Sequence, residues 1–157
     1  AEYTFGLLHN DGTPKPAYGA LRNLLLLLAD TGRTFVPDSL SYTLRGATST
    51  VRELLLEKRD GRFYLVLWND VAVYRPRSIG GIEGRVQRMW ERVAGVDSSS
   101  RDLSNPPVAV TLTLARPARA LTIYAPMKGA TPLSSDSSKT SVLVPVPDYP
   151  IVVEIAR

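Results

Sequence analysis

From about residue 40 the apolar residues of this chain recur at every second position, in short runs separated by turn signals. A period of two belongs to an extended strand with one buried face, so the pattern commits most of the chain to β-structure. Leu40–Leu44 is the first run and Val51–Lys58 the second, with Glu53 and Glu57 alternating against apolar neighbours. Asp60-Gly61 supplies a hairpin turn into Arg62–Trp68, which is rich in β-branched and aromatic residues. Val71–Tyr74 reads as an extension of that strand after a break at Asn69-Asp70. Val108–Leu114, Ala120–Tyr124 (after Pro117), Ser141–Pro145 and Ile151–Ile155 complete the set, and Ser134–Ser138 reads as a polar loop. About seven or eight short strands with turns between them predict a mainly β fold, an antiparallel sandwich of Greek-key or immunoglobulin-like type over 37–157.

Residues 1–36 follow a different rule. Asn10-Asp11-Gly12 is a turn, and Pro16 suits the first turn of a helix, where its missing N–H is not needed. Ala17, Tyr18, Leu21, Leu24, Leu25 and Leu28 recur at three- and four-residue spacing, and Gly32 is a stop, so a helix is predicted from about Pro16 to Asp30. Leu26 and Leu27 widen its apolar face, which points to burial on more than one side. Residues 75–105 are irregular, with loops at Gly80-Gly81 and Ser98–Ser100. Val86, Met89, Trp90 and Val93 have helical spacing and predict a short helix near 83–94 that packs Trp90 onto the sandwich.

Composition narrows the function classes. With 157 residues, 44% hydrophobic and 22% charged, the chain has ordinary globular values and room for one self-sufficient domain. It is too short for a (β/α)8 barrel, which needs about 250 residues. Nineteen basic against 15 acidic residues give +4. A basic chain invites a nucleic-acid partner, but apart from Arg75, Arg77, Arg85, Arg88 and Arg92 the arginines are scattered, so none is expected. There is no cysteine, hence no disulfide and no thiolate metal site. No run of about 18 apolar residues exists, so no membrane partner is expected. Ala1–Thr4 has neither a basic nor an apolar leader region, so no signal peptide is predicted.

Catalytic constellations are scarce. His9 is the one histidine, so no zinc motif can be built on a histidine pair, and it reads as a loop residue. No nucleophile elbow is present, and Gly80–Gly84 lacks the strand and helix that a nucleotide loop requires. Glu53 and Glu57 share a strand face but lie roughly 13 Å apart, too far for the ~5 Å carboxyl pair of a retaining glycosidase. Asp70 and Asp148 read as turn formers. No motif asks for a cofactor or a metal. Aromatic residues are the remaining lead, because their faces pack on the C–H faces of sugars. Tyr64, Val66 and Trp68 share one strand face, and Phe63, Leu65 and Leu67 the other. If the second set faces the core, Tyr64 and Trp68 form an exposed platform; if not, they are core. Tyr64, Trp68, Trp90 and Tyr74 are the candidate carbohydrate-binding residues.

Two stretches carry a family resemblance. Phe5-Gly-Leu-Leu-His-Asn-Asp-Gly-Thr-Pro-Lys-Pro-Ala-Tyr-Gly-Ala-Leu21 resembles the end of the (β/α)8 catalytic domain in glycoside hydrolases of the cellulase-like and xylosidase-like clans, where such a pattern closes the last loop and opens the last barrel helix. Leu54–Asn69 is similar to the first hairpin of the β-sandwich that follows the barrel, and Tyr124-Ala-Pro126 and Val144–Ile155 to its last strands. Residues 75–105 depart from the pattern as a long connection or insertion. The resemblance implies that 1–36 is the end of a barrel and 37–157 its accessory sandwich. The family's catalytic glutamates lie on earlier barrel strands, and no position here matches them. The expectation is therefore a non-catalytic C-terminal module that braces an intramolecular barrel and binds polysaccharide or oligosaccharide. An autonomous carbohydrate-binding module is the alternative, and an independently active hydrolase the more remote one. The resemblance further implies an extracellular or periplasmic, secreted protein, with self-association through the N-terminal helix where no barrel covers it.

Overall fold

A computed structural model describes residues 6–76, 100–103 and 105–157. The helix near 83–94 and Trp90 lie outside the described residues. One helix, α1 (Pro16–Leu28), precedes the strands β1 (Tyr42–Gly46), β2 (Val51–Glu57), β3 (Phe63–Asn69), β4 (Tyr74–Pro76), β5 (Ser100–Asp102), β6 (Val108–Tyr124), β7 (Pro132–Val146) and β8 (Ile151–Ala156). The fold is mainly β and antiparallel. Among the described residues no helix is long and apolar enough to cross a membrane.

The chain divides into two compact units. The smaller, 71–106, contains the antiparallel pair β4–β5, fastened by Leu103 N–H to the Val73 carbonyl (2.9 Å). Residues 74–76 thus begin a strand of their own instead of extending β3. The larger unit, 1–70 with 107–157, holds α1 and a six-stranded sheet ordered β1-β6-β8-β3-β2, with β7 on the other edge of β6.

The six strands form one antiparallel sheet, curled as a half-barrel, with β6 and β7 as its longest strands. Their pairing runs almost the whole length of both strands. The first half of β6 pairs β1 and the second half pairs β8, so one long strand joins both parts of the sheet. Val110, Leu112, Val144 and Val146 of β6 and β7 form one buried core with Phe63, Leu65, Leu67, Val153 and Ile155 of β3 and β8. Sequence reading splits β6 at Pro117, yet the strand continues through it. Pairing passes from Thr113–Ser141 to Ala118–Lys139, five residues on β6 against two on β7. This bulge absorbs the proline, which has no N–H for the ladder. The polar loop expected at 134–138 is strand: Ser134, Ser135, Asp136 and Ser137 pair Ile123, Thr122, Leu121 and Ala120. This half of β7 is a sheet edge, exposed along most of its length, and its sequence therefore lacks alternation.

Two glycines are required by the backbone, and the first, in Asp60-Gly61, sits at the turn the sequence predicts. Gly61 (φ +77°) closes the β2–β3 hairpin, and its N–H reaches the Lys58 carbonyl (2.9 Å). Gly46 ends β1 at φ +111°, and a Cβ there would stand 2.6 Å from the Ala109 carbonyl oxygen. Gly46→Ala is expected to lower unfolding free energy by about 1–2 kcal/mol, since it adds a left-handed alanine and a backbone collision. Urea midpoints of the two proteins test this, with Gly19→Ala, inside α1 with open space around it, as the contrast that should gain about 0.5–1 kcal/mol.

Candidate functional site

The sheet's outer face is built by alternate residues of β3, β8 and β6. Tyr64 stands opposite Glu154, and Glu154 opposite Thr122; Val66 stands opposite Val152, and Val152 opposite Tyr124. Helix α1 lies over this face. Leu24, Leu27 and Leu28 pack with Leu56, Trp68 and Tyr124 around buried Tyr64, Val66 and Val152. The helix is shorter than predicted, ending at Leu28, and has no basic residue in its last turn. Lys58 fills that role from the sheet: its ammonium donates to the Leu27 carbonyl (2.6 Å) and sits 4.4 Å from the Tyr64 ring centroid. Asn23 donates to the Pro126 carbonyl (3.0 Å), and Arg59 donates to the carbonyls of Thr31 and Arg33. These bonds fix the helix on the sheet.

At the edge of this patch is a polar cluster that sequence reading missed. Glu154 is buried and both its carboxylate oxygens are engaged: Arg62 Nη1 donates to one (2.8 Å) and the Tyr124 hydroxyl to the other (3.1 Å). Burial first, and then the charge of Glu154, pushes the Tyr64 phenol up to about 12. Burial and Glu154 raise the Tyr124 phenol in the same way, and the bond to Glu154 holds Arg62 charged. A signal existed in Ile151-Val-Val-Glu-Ile155: an acid inside a strand apolar on both faces needs a partner. With its oxygens taken, Glu154 acts as an anchor tying β3, β6 and β8 together.

The sequence candidates fare differently. The aliphatic set Phe63, Leu65 and Leu67 does face the main core, yet this leaves no open platform. Tyr64 is 3% exposed, because the leucines of α1 cover it, and its ring is closed to a sugar. That corrects its place among the carbohydrate-binding candidates. Trp68 is half-buried beside the same cluster. Tyr74 belongs to β4 in the smaller unit.

The acids and the histidine also find places. Glu57 accepts the Asp38 N–H (2.5 Å), and Asp70 pairs with Arg52 (3.0 Å). The charge of Glu53 adds to burial in raising the Tyr42 phenol. His9 sits in a small exposed hairpin, where its N–H bonds the Thr13 carbonyl (2.8 Å) and Asp11 accepts the Thr13 hydroxyl (2.6 Å). That hydroxyl, with the Thr13 N–H, holds the Asp11 carboxyl below the usual range. Among the described residues no group of three or more His, Cys, Asp or Glu side chains could hold a metal.

One further surface stands out. Tyr18, Leu21 and Leu25 follow helical spacing along α1, with Leu21 at the margin of the stripe that carries Leu24 and Leu28, and they are 41%, 41% and 61% exposed. Leu26 beside them is 61% exposed. The helix is apolar on two sides, and the sheet covers one. Comparison with protein-family models and with characterised proteins gives no match.

Proposed function

We propose that the chain is the non-catalytic C-terminal module of a glycoside hydrolase, in which α1 is the last helix of the catalytic barrel and the curled sheet is an accessory domain that braces it. The observation that carries this reading is the two-sided apolar character of α1. Its inner leucines rest on the sheet, and Tyr18, Leu21, Leu25 and Leu26 face outward as an uncovered stripe. A last barrel helix would bury such a stripe against the barrel. Residues 5–21 supply the second support, through their resemblance to the end of that barrel. In this reading the protein is extracellular or periplasmic.

Bracing is favoured over glycan binding, since Tyr64, half of the proposed sugar platform, lies beneath the helix. The chain alone is expected to give no turnover of aryl glycosides and no retention on cellulose, xylan or β-glucan. Turnover would overturn the reading, and retention would replace bracing with carbohydrate binding. Without a barrel the outer stripe is expected to find a second copy. Sedimentation should then give a species heavier than 17.2 kDa that returns to monomer in Leu25→Lys. A monomer at every concentration would count against an uncovered interface.

A further inference from the structure

The long strand β6 changes partner halfway. On the side away from β7 it pairs β1 as far as Leu114 and β8 from Ala120 onward. Among the described residues no strand pairs 115–119 on that side, although the Ala115 N–H still reaches the Ser41 carbonyl (3.1 Å). The same interval holds the bulge and Pro117, so the curled sheet is split there. The split opens into a cleft of about 400 Å³. This is within the roughly 300–1,000 Å³ of small-molecule sites.

The lining is divided by chemistry. Leu114, Ala118 and Ile155, all buried residues of the main core, present an apolar wall. Ser39, Ser41, Arg116 and Arg157 supply the polar groups, and no acidic side chain lines the cleft among the described residues. Arg157 is held in place: it pairs with Asp38 (2.6 Å), donates to the Ser39 carbonyl and lies 4.3 Å over the Phe63 ring. Asp38 balances its charge, and the Ser39 N–H with Arg157 keeps the Asp38 carboxyl below the usual range. Arg116 is exposed and has no ion pair among the described residues. The cleft therefore carries one unbalanced guanidinium at its mouth and a dry wall inside.

We propose that this cleft binds a small amphipathic anion, an aliphatic or aromatic monocarboxylate whose apolar body fills the split and whose carboxylate pairs with Arg116. A guanidinium matches a carboxylate with two parallel N–H bonds, and Ser39 and Ser41 in the same lining carry hydroxyls able to donate to an anion. A neutral sugar finds little here, since the apolar wall offers its hydroxyls no partner.

Octanoate is the probe, followed by NMR of the ¹⁵N-labelled chain. Saturable shifts are expected at amides of 39–41, 115–118 and 155–157. Affinity should fall about tenfold or more in Arg116→Gln and stay unchanged in Arg119→Gln, which removes a neighbouring charge that does not line this cleft. Octanol, with the same chain and no charge, should bind about tenfold more weakly or worse. Thermal unfolding of Arg116→Gln should match the parent, because the side chain is exposed. Shifts that do not saturate, shifts confined to 16–28 on α1, or equal affinity in Arg116→Gln would each overturn the proposal.

Discussion

Truncation of Leu65 to alanine is expected to remove about 2–5 kcal/mol of stability. Leu65 is fully buried at the middle of β3, between Leu55 of β2 and Val153 of β8. Strands pair on both sides of it, and β6 and β7 face it across the core, so the walls around the deleted methyl groups are pinned by backbone hydrogen bonds. A site that cannot collapse keeps its cavity and pays the upper part of the range. Against a total of about 5–15 kcal/mol, such a loss brings the fold close to its limit. Urea unfolding should show a lower midpoint with an unchanged slope. Leu54→Ala, on the paired strand β2 opposite Val66 and therefore on the other face, 49% exposed, should shift the midpoint far less. Equal shifts would mean that the faces of β2 and β3 are assigned the wrong way round.

Alkali gives the second large effect. The Tyr64 phenol is pushed up from 10.0 to about 12, first by burial and then by the charge of Glu154. Below pH 10 folded and unfolded chains both keep this phenol protonated, and its contribution to stability is complete. Above pH 10 the unfolded chain ionises first, so stability falls and the contribution is gone once pH passes the folded value near 12. At 1.36 kcal/mol per unit, the loss is about 2–3 kcal/mol. Tyr124 is raised in the same direction, which adds to the fall. Across this window the urea midpoint should decline while phenolate absorbance rises. Tyr64→Phe should flatten much of the decline. A flat profile in the parent protein would place Tyr64 in water, off the helix-covered face.

Much of this architecture is legible in the sequence, and the parts that are not have physical causes. The hairpin Val51–Asn69 stands out because alternation, β-branched residues and Asp60-Gly61 agree. Helix α1 stands out because Pro16 and the leucine spacing agree. The continuity of β6 through Pro117 is invisible locally, since a bulge is decided by which partner lies beside the strand. The strand character of Ser134–Ser137 is invisible for the opposite reason: an edge strand exposed along most of its length has no burial pattern to leave in its sequence. At the site, the face shared by Tyr64 and Trp68 is readable, but what covers it is not. A period of two tells which residues point together, and the layer above them comes from α1, about forty residues earlier. The Glu154 anchor is half readable, as an acid out of place, while Arg62 and Tyr124 can be named only once β3, β8 and β6 lie side by side.

These features meet in α1, which holds the sheet with one face and presents Tyr18, Leu21, Leu25 and Leu26 with the other. The reading of the chain as a module of a glycoside hydrolase requires a barrel on that second face. The most direct measurement is the size and activity of the native protein, captured from its source by an antibody raised against this chain. The expected result is a polypeptide larger than 17.2 kDa by at least a barrel of about 250 residues, which hydrolyses glycosides. A native species of 17.2 kDa, or a larger one that leaves every glycoside intact, would contradict the account.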